Sequence, residues 1–168
     1  MFAARMMAPK KAGLIVNISA FGGIKPYTSV VYTTVKTAID RFTADAALEL
    51  LEDNVSMVSI WPGLVKTEGV INRMGGPEGR VAKSKNAESP EFVGLGVVAL
   101  ATDPETIHTA SGKVIMAWEL AEKYDYVDPA SGVVPQDKVM RGLKAEMAGP
   151  PPHWDLDRPL DPSQMIRR

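Results

Sequence analysis

One stretch decides how this chain is organised: Ser19-Ala20-Phe21-Gly22-Gly23-Ile24-Lys25-Pro26-Tyr27-Thr28-Ser29-Val30-Val31-Tyr32-Thr33-Thr34-Val35-Lys36. Ser19 follows the apolar run 14–18, which predicts a buried strand. Tyr32 and Lys36 stand four positions apart at the start of a helical pattern, so both side chains project from one helix face. The glycine- and proline-containing loop before them predicts a turn that brings the serine back over the tyrosine.

A hydroxyl, a phenol and an ammonium therefore converge at the carboxyl end of a strand, where open α/β sheets bind ligands. The pKa of a free tyrosine is about 10, and a lysine ammonium nearby favours the phenolate. Tyr32 is thus a candidate general acid/base near neutral pH, and Ser19 is placed to hold a substrate oxygen. A hydride must come from a cofactor, because no side chain carries one.

Three features together resemble the second half of a short-chain dehydrogenase/reductase. They are the Tyr32-x-x-x-Lys36 pair, Ser19 thirteen positions before the tyrosine, and the later segment Pro62-Gly63-Leu64-Val65-Lys66-Thr67. Within that family, the chain looks most like the dehydrogenase/reductase family member 1 branch, through Trp61-Pro62-Gly63 and Val98-Ala99-Leu100-Ala101-Thr102-Asp103-Pro104.

The resemblance implies an NAD(P)-dependent oxidoreductase of alcohols or carbonyls, with Ser19, Tyr32 and Lys36 as its catalytic residues. It also implies a nicotinamide cofactor, NAD or NADP, held by a set of six residues: Tyr32, Lys36, Pro62, Gly63, Val65 and Thr67. In this interpretation the glycine lets the backbone approach the nicotinamide. Both cofactors stay open, because the residues that read the ribose 2′ position belong to the family's first half.

Composition sets the broad class. The chain has 168 residues, enough for one domain, and a formal net charge of −1, which makes nucleic acid an unexpected partner. It has no cysteine, hence no disulfide framework and no thiol nucleophile. No apolar run approaches the roughly 20 residues of a membrane helix, so we expect a cytoplasmic protein without a membrane span. Its two histidines, His108 and His153, lack a carboxylate pattern, so we expect no metal site.

The pattern of the whole chain predicts an α/β fold, the second half of a Rossmann-like doubly wound parallel sheet. Strands are predicted at 14–19, 55–60 and 113–117, and helices at 30–52, 89–102 and 135–147. Residues 1–8 resemble the end of a helix, and 64–88 a mobile segment over the site. We expect a catalytic half over residues 1–120 and a partly irregular extension over 121–168, with an extended stretch at 149–154.

The long helix over 30–52 shows two apolar stripes. One contains Val35, Ile39, Phe42, Ala46 and Leu50, the other Ala44, Ala47, Leu48 and Leu51; Asp40 is assigned to the polar remainder. One stripe is expected to pack on the sheet. The other needs a partner, and in the resembled family that partner is a helix of another subunit, so a homo-oligomer is predicted.

The family's Gly-rich strand-turn-helix is not found in this sequence, although Gly94-Leu95-Gly96-Val97-Val98-Ala99 matches the dinucleotide fingerprint in letters. That motif must follow a strand and open a helix, whereas this one follows the helix start at Ser89. We therefore expect the N-terminal dinucleotide-binding half to be absent, and the isolated chain to bind cofactor poorly. The alternative function is a catalytically silent interaction module that pairs through the helix at 30–52.

Overall fold

The computed structural model describes residues 2–24 and 29–147. Within those residues the chain forms two compact units. The first contains residues 2–61 and 100–115, and the second contains 62–99 and 116–147. The division predicted at residue 120 stays a prediction, and the extended stretch predicted at 149–154 lies outside the described residues.

Three strands and eight α-helices make up the described part of the chain. In chain order they are α1 Phe2–Met7, β1 Gly13–Ile18, α2 Val30–Leu50, β2 Val55–Trp61, α3 Glu68–Arg73, α4 Arg80–Lys83, α5 Pro90–Thr102, α6 Thr106–Thr109, β3 Val114–Met116, α7 Ala117–Tyr124 and α8 Lys138–Met147. Short 3-10 turns cover Ala8–Lys10, Phe21–Gly23 and Leu51–Asp53.

The strands form one parallel sheet in the order β1-β2-β3, which confirms the predicted α/β fold. Gly13 of β1 pairs with Val55 of β2, and the register continues to Ile18 and Ile60. Every residue of β2 is buried, as expected for a central strand covered on both faces. β1 was predicted to be equally buried and is not: it is half-buried, because β2 is its only partner among the described strands.

The helix α2 begins where predicted, since the Ser29 side chain caps it by accepting the Tyr32 N–H. The stripe that α2 buries differs from both predicted stripes: its members are Asp40, Thr43, Ala46, Ala47 and Leu50. Val35 and Phe42, expected in the first stripe, are 51% and 47% exposed. Asp40 belongs to this buried face, although it was predicted to be exposed because it is charged. It can be buried because hydrogen-bond donors of β2 bind its carboxylate.

In the first unit, an apolar cluster joins α2 to the sheet. It consists of Ala46, Ala47, Leu50, Val55 and Met57, with Ala4, Met7 and Ile15 packed against it. The α1 side chains Ala4 and Met7 thus share the core that joins α2 to the sheet.

In the second unit, α5 begins at Pro90 as predicted, with the Ser89 hydroxyl accepting the Phe92 N–H at 3.1 Å. The stretch predicted as mobile contains two short helices, α3 and α4. The helix α7 extends into the stretch 121–168, which was predicted to be partly irregular. Within the described residues, no helix is both long and apolar enough to cross a membrane.

The fingerprint-like glycines lie inside α5, as expected, and not at a strand-to-helix turn. A Cβ built on Gly96 would meet the Leu120 side chain and the Tyr126 hydroxyl at 2.9 Å each. Gly96 therefore permits close packing of α5 against Leu120 and Tyr126 in the second unit.

Candidate active site

Tyr32 and Lys36 occupy the first two turns of α2 and face the same side. The Lys36 ammonium lies 5.6 Å from the centre of the Tyr32 ring. It donates a hydrogen bond of 2.8 Å to the carbonyl of Ile18, the last residue of β1. Tyr32 is 39% exposed, so its ring is accessible to solvent while the lysine beside it is fixed to the strand.

Ser19 lies at the end of β1 and is buried. Its N–H donates to the carbonyl of Ile60 at 2.9 Å, which continues the pairing of β1 with β2. Its hydroxyl donates to the carbonyl of Lys36 at 3.0 Å. To donate to a substrate oxygen, this hydroxyl has to rotate away from the Lys36 carbonyl.

Together these contacts bring Ser19, Tyr32 and Lys36 to one place in the first unit. The Lys36 side chain reaches the strand through Ile18, and the Ser19 side chain reaches the helix through the backbone of Lys36. The arrangement has the elements of a proton-transfer site: a partly exposed phenol, a cation beside its ring and a hydroxyl at the strand end.

Asp40 extends this site one helical turn beyond Lys36, and sequence reasoning missed it. Its carboxylate accepts the Ser59 hydroxyl at 2.7 Å and the Trp61 indole N–H at 3.0 and 3.1 Å. Burial raises the pKa of this carboxyl; the hydrogen bonds from Ser59 and Trp61 and the charge of Lys36 act against that rise. The i, i+4 spacing from Lys36 was the available signal, but a charged residue on a helix is usually solvated.

The segment Pro62–Thr67 lies in the second unit, where Glu88 fastens it. The Glu88 N–H donates to the Leu64 carbonyl, and the Lys66 N–H donates to the Glu88 carbonyl, both at 2.8 Å. The Glu88 carboxylate accepts the Gly63 N–H at 2.9 Å. Further on, the Thr67 hydroxyl caps α3 by accepting the Val70 N–H at 3.3 Å, which leaves the hydroxyl hydrogen available for donation.

Gly63 has a local structural reason to be glycine. A Cβ there would meet a carboxyl oxygen of Glu88 and one of Asp137, each at 2.9 Å. These two acidic groups therefore stand close together around the Gly63 backbone. The proposed approach of a nicotinamide to this glycine stays a prediction.

Glu88 is 1% exposed, and one of its carboxyl oxygens, Oε2, has no hydrogen-bond partner. Burial raises the pKa of Glu88 to about 7; the Gly63 hydrogen bond opposes the rise, while the charges of Asp137 and Asp128 add to it. Sequence reasoning missed this residue because a single glutamate before a helix cap carries no pattern of its own.

The predicted site residues thus fall into two groups. Ser19, Tyr32 and Lys36 meet in the first unit, and the cofactor segment with Pro62, Gly63, Val65 and Thr67 belongs to the second. Among the described residues, no group of three or more potential metal-ligating side chains is present.

Comparison with known proteins shows which proteins this chain is similar to. Residues 1–75 match the family model of the short chain dehydrogenases. Dehydrogenase/reductase SDR family member 1 of Mus musculus is 44% identical over 135 residues, which cover 76% of this chain and 43% of that protein. The Homo sapiens protein of the same name is 41% identical over the same shares. The chain therefore spans less than half the length of these curated relatives.

The fold comparison agrees with the sequence comparison. The solved structure of ElxO with NADP bound matches 69% of this chain and 49% of its own, with a TM-score of 0.58 and 24% sequence identity. The chain is thus similar to the short-chain dehydrogenase/reductase family, over residues 1–75 for the family model and over 76% of its length for these relatives. The likeness to the relatives called dehydrogenase/reductase SDR family member 1 confirms the branch that segments 61–63 and 98–104 predicted.

Proposed function

We propose that this chain is the catalytic half of an NAD(P)-dependent oxidoreductase that interconverts alcohols and carbonyls. The observation that carries the proposal is the contact set of Ser19, Tyr32 and Lys36 at the end of β1. The similarity to this family supports the reaction class, since it is an oxidoreductase family.

Each of the three side chains has a role in proton transfer. The Tyr32 phenol gives a proton to the carbonyl oxygen in reduction and takes one from the hydroxyl in oxidation. The Lys36 ammonium lies beside the ring and favours the phenolate, because opposite charges stabilise each other. The Ser19 hydroxyl rotates from the Lys36 carbonyl to the substrate oxygen and fixes its position. The nicotinamide supplies or accepts the hydride when bound.

The same proposal assigns the cofactor contacts to Lys36 and to the segment Pro62–Thr67. Lys36 would hold the nicotinamide ribose, and the Val65 N–H and the Thr67 hydroxyl would bind the carboxamide. Support comes from the free hydroxyl hydrogen of Thr67 and from the tight fastening of the segment by Glu88. NADP was bound in the ElxO structure; for this chain the proposal includes both NAD and NADP.

The decisive variant is Tyr32→Phe, made in the product of the complete reading frame that encodes this chain. It removes the acid/base hydroxyl and keeps the ring, so turnover should fall at least about 100-fold while cofactor affinity stays within a few-fold. Tyr124→Phe is the matched control, because Tyr124 also has a lysine ammonium near its ring, 4.6 Å from Lys123. Turnover above about a tenth of wild type in Tyr32→Phe would refute the assignment.

The alternative is a catalytically silent interaction module. It predicts no turnover in wild type, and therefore no effect of Tyr32→Phe or Tyr124→Phe on turnover.

Both candidate functions include assembly with a second copy of the chain. We propose a homo-oligomer formed through α2, supported by the exposed apolar side chains Val31, Val35 and Phe42 on one face of that helix. The cytoplasmic location stays a proposal from composition.

A further inference from the structure

Asp40 has a position that its structural contacts alone do not explain. It lies four residues after Lys36 and eight after Tyr32, so the three side chains follow one line along α2. It is 8% exposed, and its two carboxyl oxygens accept hydrogen bonds from Ser59 and Trp61 at the end of β2. If Asp40 served only to hold α2 against β2, an apolar contact could do the same without the cost of burying a carboxylate.

The carboxylate differs from an apolar contact in its charge, which can act on the Lys36 ammonium. Adjacent turns of a helix place side chains within about 6 Å at their Cβ atoms, so the side chains of Asp40 and Lys36 start from neighbouring points on one face of α2. Lys36 is a charged group whose field acts on Asp40. The side chains that donate hydrogen bonds to Asp40, Ser59 and Trp61 of β2, are uncharged, as is Ser19 at the end of β1.

We propose that Asp40 is a positioning residue of the catalytic site: its carboxylate competes with Tyr32 for the Lys36 ammonium and so limits how strongly that ammonium stabilises a Tyr32 phenolate. The lysine then interacts with two anions on one helix face, the buried Asp40 carboxylate and the Tyr32 phenolate formed during proton transfer. Its ammonium is fixed by the hydrogen bond to Ile18 and lies 5.6 Å from the centre of the Tyr32 ring. This inference rests on the proposed function for its meaning.

The test is an alkaline absorbance titration of the tyrosinate in the isolated chain, comparing wild type with Asp40→Asn. The signal of Tyr32 is obtained by subtracting the same titration in the Tyr32→Phe background. Asparagine retains an oxygen for Ser59 and Trp61 but lacks the charge, so the midpoint of Tyr32 should move to lower pH by about half a unit or more. Asp45→Asn is the matched control, an exposed carboxylate on α2 paired with Arg41, and should leave the midpoint unchanged.

A midpoint that stays in place in folded Asp40→Asn, or one that moves to higher pH, would overturn the proposal, because a purely structural tie has no effect on the phenol. If Asp40→Asn does not fold, Lys36→Met tests the same coupling from the other end. There the carbon-13 carboxyl resonance of Asp40 should titrate at higher pH than in wild type, and an unchanged midpoint overturns the proposal. Neither measurement needs substrate or cofactor, so its failure is distinct from retained turnover in Tyr32→Phe.

Discussion

The Lys36 ammonium is joined to the backbone carbonyl of Ile18 by a hydrogen bond of 2.8 Å. This contact crosses from α2 to the last residue of β1, and the Ser19 hydroxyl makes the reverse crossing to the carbonyl of Lys36 at 3.0 Å. The strand end and the helix start are thereby held against each other by two reciprocal hydrogen bonds. In the proposed mechanism the Lys36 contact fixes the ammonium before a substrate binds, whereas the Ser19 hydrogen bond breaks when the hydroxyl turns to the substrate oxygen.

Replacement of Lys36 should therefore lower both kcat and cofactor affinity, whereas Tyr32→Phe should lower turnover alone. In the product of the complete reading frame, Lys36→Ala should lower kcat at least about 100-fold, because the phenolate loses its cation. It should also weaken cofactor binding, since the proposed ribose contact is lost. Steady-state kinetics with calorimetric titration of the cofactor measure both.

Lys11→Ala is the control for this experiment, because Lys11 is an exposed lysine of the same unit that pairs with Asp53. It should change neither quantity. Cofactor affinity unchanged in Lys36→Ala would contradict the ribose contact, and unchanged kcat would contradict the role in proton transfer.

The buried carboxyl of Glu88 makes stability depend on pH. Its pKa in the folded protein is about 7, above its ordinary value of 4.5, so between these pH values the folded state holds a proton that the unfolded state has lost. Stability from this group is therefore complete below about pH 4.5 and declines as the pH rises to about 7, with a slope of up to about 1.4 kcal/mol per pH unit. Glu88→Gln should remove that decline.

Urea denaturation of wild type and Glu88→Gln at a series of pH values measures the difference, in which the other carboxyl groups cancel. Glu91→Gln, an exposed glutamate at the start of α5, should follow wild type throughout. A difference between Glu88→Gln and wild type that is constant over this range would show that Glu88 does not hold its proton in the folded state.

Local signals in the sequence predicted much of the fold. β2 and α5 were found because an apolar run and a Ser-Pro helix start each depend on neighbouring residues only. The contacts of Asp40 and Glu88 could not be found in this way. Asp40 meets donors that are 19 and 21 positions away, and Glu88 meets Gly63 at a separation of 25. Burial of a charged side chain is decided by such distant donors, and no local pattern records them.

The prediction of assembly shows the same difficulty. The apolar residues of α2 were recognised from the sequence, but which of them face the sheet and which face solvent was not. Ala46 and Leu50 face the sheet, whereas Val35 and Phe42 of the same predicted stripe face solvent. Leu48 and Leu51, predicted to face a partner, are half-buried in the first unit.

Phe42→Glu should therefore shift an oligomer to monomer, because it places a charge in the proposed contact between two copies of α2. Light scattering of the purified chain measures the mass of wild type and variant. Glu49→Gln, an exposed change on the same helix, should leave the mass unchanged. A wild type that is already a monomer, or an oligomer insensitive to Phe42→Glu, would contradict assembly through this face.

The start of α5 is held by a buried carboxylate whose removal should be costly. Asp128 is fully buried and accepts the Ser89 N–H and the Ser89 hydroxyl at 2.7 Å each and the Ala130 N–H at 2.8 Å. In Asp128→Asn one carboxylate oxygen is replaced by an NH₂ group, which cannot accept a hydrogen bond. At least one of the donors that now bind the two oxygens is therefore left without an acceptor. The free energy of unfolding should fall by about 1–3 kcal/mol, as for other buried donors left without an acceptor.

This loss should itself depend on pH, with the sign opposite to that of Glu88. Burial acts to raise the pKa of Asp128, but the hydrogen bonds from Ser89 and Ala130 and the charge of Lys66 outweigh it and lower the pKa below 3.8. The stabilisation is therefore complete above that value and is lost as the pH falls through the folded-state pKa. Denaturation at neutral and acid pH should show that the difference in unfolding free energy between wild type and Asp128→Asn becomes smaller in acid.

Asp125→Asn is the control for this experiment. Asp125 is exposed with φ of 52°, which asparagine tolerates, so the substitution should change the free energy of unfolding by no more than about 0.5 kcal/mol. Equal effects at the two positions would mean that the Ser89 contacts contribute nothing measurable to stability.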